Sequence, residues 1–424
     1  MKTAMRRGMD ESEGERAARC DSAIIVGEPP RGNLAGISYR PGEVFAPGRG
    51  DSTLSAPPRR DTVPPSPDAR LVEAAAAMPA ARPPRFLIVR LSALGDVIHG
   101  LPVACALRAA HPEATIGWVA EGRNADLLAG HPAIDDVIAA PRRWLKSPRA
   151  IMDLRRRLRT FEFDVALDLQ CLTKSAVAAW LSGAPRRIGK AGVHGRELSR
   201  WIHNELVAVG GRHVVDHCLE MLSAVDVTAA EVRFDLPERM ADARTVDDWL
   251  RGAGLLRRQF VVLNAGAGWP AKVWPCEHYA ELAQRLRAEH GLASVAAWGN
   301  AAERTLAEAI VAAADGAARL APPPTVAELA ALSRRAAAFV GSDTGPMHLA
   351  VAVGTPTVSL HGPTVAEWCG AYGPTNARLQ SPLDDGSSSF RRTAGDEAMR
   401  AISVDAVAAA CDALLARPYE RRAG

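Results

Sequence analysis

The sequence predicts an α/β protein made of two similar halves that face each other across a cleft. Short apolar runs of strand length alternate with amphipathic helical stretches, first from Arg85 to Ser182 and again from Phe260 to Leu360. Such alternation is the pattern of parallel βαβ units. Between the two series, residues 231–247 are polar, contain Pro237 and lack a strand rhythm, which places the boundary between the halves there. Four loops rich in small and polar residues follow strands directly. In open α/β sheets, ligands bind beyond the carboxyl ends of the strands.

In the first half, over 85–240, Phe86–Val89 is a strand, followed by the loop Arg90–Asp96 and a helix from Val97 to about Ala110. Thr115–Val119 and Asp136–Ile138 are the next strands, with a short helical segment over Asp126–Leu128. A helix covers about Ser147–Thr160, Val165–Leu169 is a strand and Thr173–Ser182 a helix. In the second half, over 258–418, the strands are Phe260–Leu263, Ser294–Ala297, Ala336–Val340 and Thr357–Leu360. Its helices are His278–His290, Glu303–Ala314, Thr325–Ser333 and Met347–Val353. Residues 1–84 are rich in Pro, Gly, Arg and Ser with little periodicity. They read as a disordered tail or as a start assigned too early, with Ile24–Val26 an apolar patch inside them.

Composition excludes several classes. A chain of 424 residues with 48% hydrophobic content suits a soluble globular protein of two domains. No apolar run reaches the length of a membrane span. The net charge of +3 is too small to argue for a nucleic-acid partner. Seven scattered cysteines, none in a CxxC pair, argue against a disulfide framework or a zinc site, and a reducing cytoplasm is the expected compartment.

The chemistry gathers on the four loops. Gly341-Ser342-Asp343-Thr344-Gly345-Pro346-Met347-His348 runs from a strand into a helix. Pro346 suits the first turn of that helix, whose free N–H groups and dipole favour an anion. Thr344 adds a hydroxyl, His348 an imidazole and Asp343 a carboxylate suited to sugar hydroxyls. The loop Asn264–Trp269 is followed by Lys272, one of five lysines in an arginine-rich chain, and a compact ammonium suits a diphosphate. Glu303, after Trp298-Gly299-Asn300, is either a first-turn acid complementing the helix dipole or a ligand for two ribose hydroxyls. Asp96, after Gly95 in the first loop, is either a helix cap or a general base facing the cleft. Gly95 is expected to permit a close turn. Together the loops suggest a nucleotide-diphosphate donor on the second half and an acceptor on the first. Basic residues of the first half, Arg142, Arg143, Lys146, Arg149, Arg186, Arg187, Lys190, Arg196 and Arg200, are either a solvated face or the seat of an anionic acceptor near a membrane.

At these loops the sequence resembles the lipopolysaccharide heptosyltransferases, GT-B enzymes of glycosyltransferase family nine. The matching stretches are Arg90–Pro102, Asp168–Ser175, Trp269–Pro275, Gly341–Ala350, Leu360–Thr364 and Tyr372–Pro374. Arg142–Lys146 is more similar to the branch that acts on Kdo. The resemblance implies a GT-B fold of two Rossmann-like domains and inverting transfer of heptose from ADP-heptose to the inner Kdo of Kdo2-lipid A. It implies Asp96 as general base and Lys272 at the donor phosphates. It implies Glu303 at the ribose, and Asp343, Thr344, Gly345 and His348 around the heptose and diphosphate. Arg142, Arg143 and Lys146 fall to the acceptor. No cofactor or metal is expected beyond the donor substrate, and the enzyme is expected to sit peripherally on the anionic cytoplasmic face of the inner membrane. Ala267 and Gly268 stand where the family can have hydroxyl residues, so phosphate contacts there fall to backbone N–H groups. A heptosyltransferase acting on a heptosylated acceptor, or a non-catalytic nucleotide-binding protein on the same fold, are the alternatives. A dinucleotide oxidoreductase is disfavoured because Leu91–Asp96 lacks the G-x-G-x-x-G spacing.

Overall fold

A computed structural model describes residues 24–26, 82–122 and 124–417. The strands, in chain order, are β1 (Ile24–Val26), β2 (Arg85–Val89), β3 (Thr115–Glu121), β4 (Asp136–Ala140), β5 (Val165–Asp168), β6 (Arg186–Lys190) and β7 (Glu205–Val207). They continue with β8 (Phe260–Asn264), β9 (Ala293–Ala297), β10 (Ala318–Leu320), β11 (Ala338–Ser342), β12 (Thr357–His361) and β13 (Ala377–Gln380). The helices used below are α1 (Leu94–Ala110), α2 (Asn124–Leu128), α3 (Pro148–Arg159), α4 (Thr173–Ser182), α5 (Ser199–Ile202), α6 (Val214–Glu220) and α7 (Met240–Gly252). In the second half they are α8 (Cys276–His290), α9 (Ala301–Ala313), α10 (Val326–Arg335), α11 (Gly345–Ala352) and α12 (Ala366–Cys369).

Two sheets result, and they share one plan. The first runs β4-β3-β2-β5-β6-β7, all parallel. The second runs β10-β9-β8-β11-β12-β13, also parallel, with β1 added antiparallel on the β13 edge. Counted within each half, both read 3-2-1-4-5-6, the doubly wound dinucleotide-fold order. The central strands are buried in unbroken runs, over Phe86–Val89, Val165–Asp168, Phe260–Asn264 and Ala338–Ser342. Continuous rather than alternating burial is what helices on both faces of a parallel sheet impose.

The strand Ile24–Val26 lies within the stretch expected to be a tail; the rest of residues 1–81 lies outside the described residues. Several elements escaped the sequence pattern, β6, β7, β10, β13 and α7 among them. β6 reads Arg-Arg-Ile-Gly-Lys, and Arg186 is spent on a fork to Glu205 of β7 (2.7 and 2.8 Å). Gly189 is needed there because a Cβ would lie 2.2 Å from the His203 ring. The polar stretch 231–247 is extended at first and then enters α7, which packs on α10. Arg335, almost fully buried, joins Asp247 of α7 and Glu238, while Arg334 donates to Leu236 O.

Candidate active site

Strand order changes direction between β2 and β5 in one half and between β8 and β11 in the other. Crevices open at such switch points. The loops after β2 and β5, and after β8 and β11, carry the chemistry.

In the first half the β2 and β5 loops are tied to each other. Leu91 N–H donates to Gln170 Oε1 (2.9 Å), and Arg90 Nη1 donates to Leu169 O. The β5 loop is itself held from below by the fully buried Asp168, whose carboxylate accepts from the N–H groups of Gln170 and Cys171 and from Ser175 Oγ. Asp96 is the third residue of α1, not its cap. α1 begins three residues earlier than the sequence pattern suggests, and the Asp96 carboxylate reaches back to accept from Ala93 N–H (3.1 Å). Its other oxygen takes Arg90 Nη2 at 2.7 Å. The Arg90 side chain is 6% exposed and that of Asp96 45%. A buried cation therefore aims a carboxylate whose remaining lone pairs face outward. Burial opposes the charge on Arg90, yet the guanidinium is raised above its usual value, with the Asp96 charge the largest favourable cause and its hydrogen bond a further one.

In the second half Lys272 and Asp343 meet. Lys272 Nζ donates to Asp343 Oδ2 (2.8 Å) and to Asp343 O (3.2 Å), and lies 4.8 Å from the centre of the Trp269 ring. His348 Nε2 bonds Asp343 Oδ1 (3.2 Å), and the Cys369 thiol donates to Oδ2 (3.4 Å). Burial disfavours the Asp343 charge, yet the His348 hydrogen bond and the neighbouring Lys272 ammonium hold the carboxyl well below the usual carboxylate range. Burial, then the Asp343 charge, pushes the Cys369 thiol well up, so it stays a donor. Asp343, His361 and Cys369 place one ligand atom each within 4.8 Å of one another. Both His361 nitrogens are engaged, with Thr364 Oγ1 and Ser359 Oγ (3.1 Å each), and the Lys272 ammonium already occupies Asp343. The group is a closed, charge-balanced cluster rather than an open ligand set.

α11 starts at Gly345 with Thr344 as its extended N-cap, so Pro346 is its second residue. Thr344 Oγ1 donates back to Ser342 O (3.2 Å). The first N–H groups of α11 have no intrahelical partner, a feature of every helix start.

The two helix N-termini meet face to face. His99 of α1 and His348 of α11 bond through Nε2 and Nδ1 at 3.1 Å. His213 lies edge-on to His99, with ring centres 5.7 Å apart, and bonds Gly370 O at 2.9 Å. Tyr372 OH donates to Asp216 Oδ1 of α6 (2.7 Å). Gly95 has no positive φ, and its role is not the close turn expected from sequence. A Cβ there would lie 2.5 Å from His348 Cδ2, so Gly95 lets the two helices touch. Gly345 is the counterpart, where a Cβ would lie 2.9 Å from Leu94. Gly95→Ala is expected to destabilise the protein by about 1–3 kcal/mol through overpacking, read from the denaturant midpoint.

Glu303 sits below the Asn264–Trp269 loop. Its oxygens accept from Gly299 N–H and Asn300 Nδ2 (2.7 Å each), and a Cβ on Gly266 would lie 2.6 Å from its carboxyl carbon. The first thing that Gly266 admits is thus Glu303. Arg142, Arg143 and Lys146 are exposed on the loop after β4. The loop after β3 joins theirs to the Arg90–Asp96 loop, Gly122 N–H donating to Ala140 O and Asn124 Nδ2 to Leu91 O. Of the other basic residues, Arg186 is paired with Glu205, Arg187 donates to the carbonyls of Ile202 and Ala184, and Lys190 is buried. Sequence reasoning missed Arg90, His99, His213 and Cys369. For His99 a signal existed, since it follows Asp96 by three residues and shares its helix face.

A family model described as glycosyltransferase family 9 (heptosyltransferase) matches residues 151–394. Lipopolysaccharide heptosyltransferase 1 of Pseudomonas aeruginosa is 34% identical over 312 residues, which are 70% of this chain and 84% of that protein. The chain belongs to glycosyltransferase family 9. Another family 9 relative, lipopolysaccharide heptosyltransferase 1 of Escherichia coli K12, is 27% identical over 71% of this chain and 95% of its own length. A solved family 9 glycosyl transferase from Veillonella parvula superposes with TM-score 0.71 at 22% identity, over 79% of this chain and 98% of that one. The E. coli heptosyltransferase WaaC with ADP-2-deoxy-2-fluoro heptose gives 0.61 at 23%, over 76% and 97%. These structures share the fold, GT-B, with two α/β sheets of the expected kind. As a family 9 member the chain is a glycosyltransferase.

The histidines of this family 9 site make a pH prediction. Burial pulls His213 and His361 down from 6.5 to about 4 each; the Gly370 carbonyl opposes this for His213, and Asp343 opposes it for His361. The native protein keeps both neutral while the unfolded chain takes up protons below 6.5. Stability is therefore expected to fall as pH drops from about 6.5 to about 4. His213→Gln should flatten that slope in thermal melts across the range.

Proposed function

We propose that this glycosyltransferase moves heptose from ADP-heptose to the inner Kdo of Kdo2-lipid A, with inversion, in lipopolysaccharide inner-core synthesis. The observation that carries the reading is the pairing of Lys272 with Asp343 at the start of α11, opposite Asp96 at the start of α1. The half over 258–418 takes the donor and the half over 85–240 the acceptor. The heptosyltransferase 1 relatives support the donor and acceptor classes.

The Lys272 ammonium has three protons, and two already go to Asp343. The third is free for the diphosphate, with the first N–H groups of α11 and Thr344 beside it. The Glu303 carboxylate spends two of its roughly four lone-pair sites on Gly299 and Asn300 and keeps the others for ribose hydroxyls. Asp343 orders the heptose, with His348 fixing its orientation and Gly345 holding the two helix starts close. In the reaction Asp96 takes the proton of the acceptor hydroxyl while that oxygen bonds the anomeric carbon. The bond from that carbon to the diphosphate oxygen breaks and ADP leaves. Lys272 and the helix start stabilise the departing charge where it develops, without a metal or cofactor. Arg142, Arg143 and Lys146 hold the anionic acceptor.

Among the described residues no helix is long and apolar enough to cross a membrane. The acceptor is lipid-linked, so the protein works peripherally at the anionic cytoplasmic face of the inner membrane. The test is ADP release from ADP-heptose by the purified chain, with and without Kdo2-lipid A. Release only with that acceptor supports the reading. Release only with a heptosylated lipid A moves it to the second-heptose branch, and failure to bind ADP-heptose overturns it.

A further inference from the structure

The segment between β6 and β7 reverses the usual order of polar and apolar side chains. Two of its polar groups, Ser199 and His203, point inward and fasten it, and the exposed Glu197 adds a surface tie. Ser199, fully buried, donates from Oγ to Cys171 O (3.0 Å), and His203 Nε2 bonds the buried Asp168 carboxylate (3.1 Å). The Glu197 carboxylate accepts from Thr173 N–H (2.9 Å). Its apolar groups face out. Val193 is 87% exposed, Leu198 61% and Trp201 75%. A large apolar side chain is ordinarily the first thing a chain buries and Ser among the last. Here the anchoring leaves three such groups displayed within nine residues.

Their neighbours indicate what covers them. Arg196 and Arg200 are exposed in the same segment, and the Arg200 guanidinium lies 5.2 Å from the centre of the Trp201 ring. An anionic surface would neutralise these two arginines, which outnumber the one exposed acid between them, Glu197. Tryptophan beside basic residues, with apolar groups projecting past them, is the composition that seats at a lipid head-group boundary. The position fits as well. The segment is fastened to the loop after β5, and that same loop accepts from Arg90, which holds Asp96.

We propose that Val193, Leu198 and Trp201 insert into the head-group region of an anionic bilayer, with Arg196 and Arg200 on the lipid phosphates. Attachment is then by apolar insertion as well as by charge. The inference deepens the proposed action on a lipid-linked acceptor and rests on that reading only for why a membrane is nearby.

The test uses the full chain and vesicles of equal parts phosphatidylglycerol and phosphatidylcholine, free of acceptor. The wild type is expected to co-sediment with them. The triple variant Val193→Ser, Leu198→Ser, Trp201→Ser is expected to partition at least about tenfold less, the change produced by losing burial of one large apolar side chain. Its thermal midpoint, and its ADP release with a lipid-free Kdo acceptor, should match the wild type. Unchanged partitioning of the triple variant overturns the proposal. So does a wild-type dimer that the variant abolishes while vesicle binding persists. Failure of the functional reading would show separately, as absent ADP release by the wild type.

Discussion

Asp96→Asn is expected to lower turnover by about 10²–10⁴-fold, the usual worth of a positioned proton acceptor, and to leave ADP binding unchanged. Asn is the informative substitution because its carbonyl oxygen can still face Arg90. Alanine would strand that guanidinium, whose side chain is 6% exposed, and mix a stability defect into the kinetics. The measurement is single-turnover ADP release beside ADP titration and a denaturant melt. Wild-type turnover in Asp96→Asn would remove the base from the mechanism and leave Asp96 a partner of Arg90 and of the Ala93 N–H alone.

Lys272→Ala should lower turnover by about 10²–10³-fold, as loss of one preorganised donor to a developing anion does. ADP affinity should fall with it, because in the proposed site the ammonium meets the diphosphate in the bound state too. A second effect compounds the first. Asp343, 11% exposed at its side chain, would keep its charge without its cation and repel the diphosphate. Adding Asp343→Asn to Lys272→Ala should therefore restore part of the ADP affinity and none of the turnover. Isothermal titration with ADP and steady-state kinetics on the single and double variants separate the two effects. Unaltered ADP affinity in Lys272→Ala would place the diphosphate elsewhere.

Much of the architecture was legible in the sequence because parallel strands buried on both faces are written as apolar runs, such as Phe86–Val89 and Phe260–Leu263. Loops that follow such runs are legible for the same reason, so the positions of Asp96, Lys272 and Asp343 after strands could be read. β6 could not, since its arginines are consumed by Glu205 and by backbone carbonyls, which local composition does not reveal. The bond from His99 to His348 spans 249 residues of chain and exists only because two helix starts converge. Gly95 carried a signal that was misassigned. A glycine needed for helix contact and one needed for a turn look alike in sequence, and only the 2.5 Å approach to His348 tells them apart.

Where the helix starts meet, a polar cluster lies beside the apolar contact of Leu94 with Gly345: His99, His213, His348, Tyr372 and Asp216 bond one another or backbone carbonyls. Water satisfies each of these groups about as well as its present partner does, so parting the cluster exchanges hydrogen bonds rather than losing them. If the halves part at this cluster to let the nucleotide go, release is expected to depend on how fast they swing apart through solvent. Added viscogen should slow multiple turnovers while sparing the first.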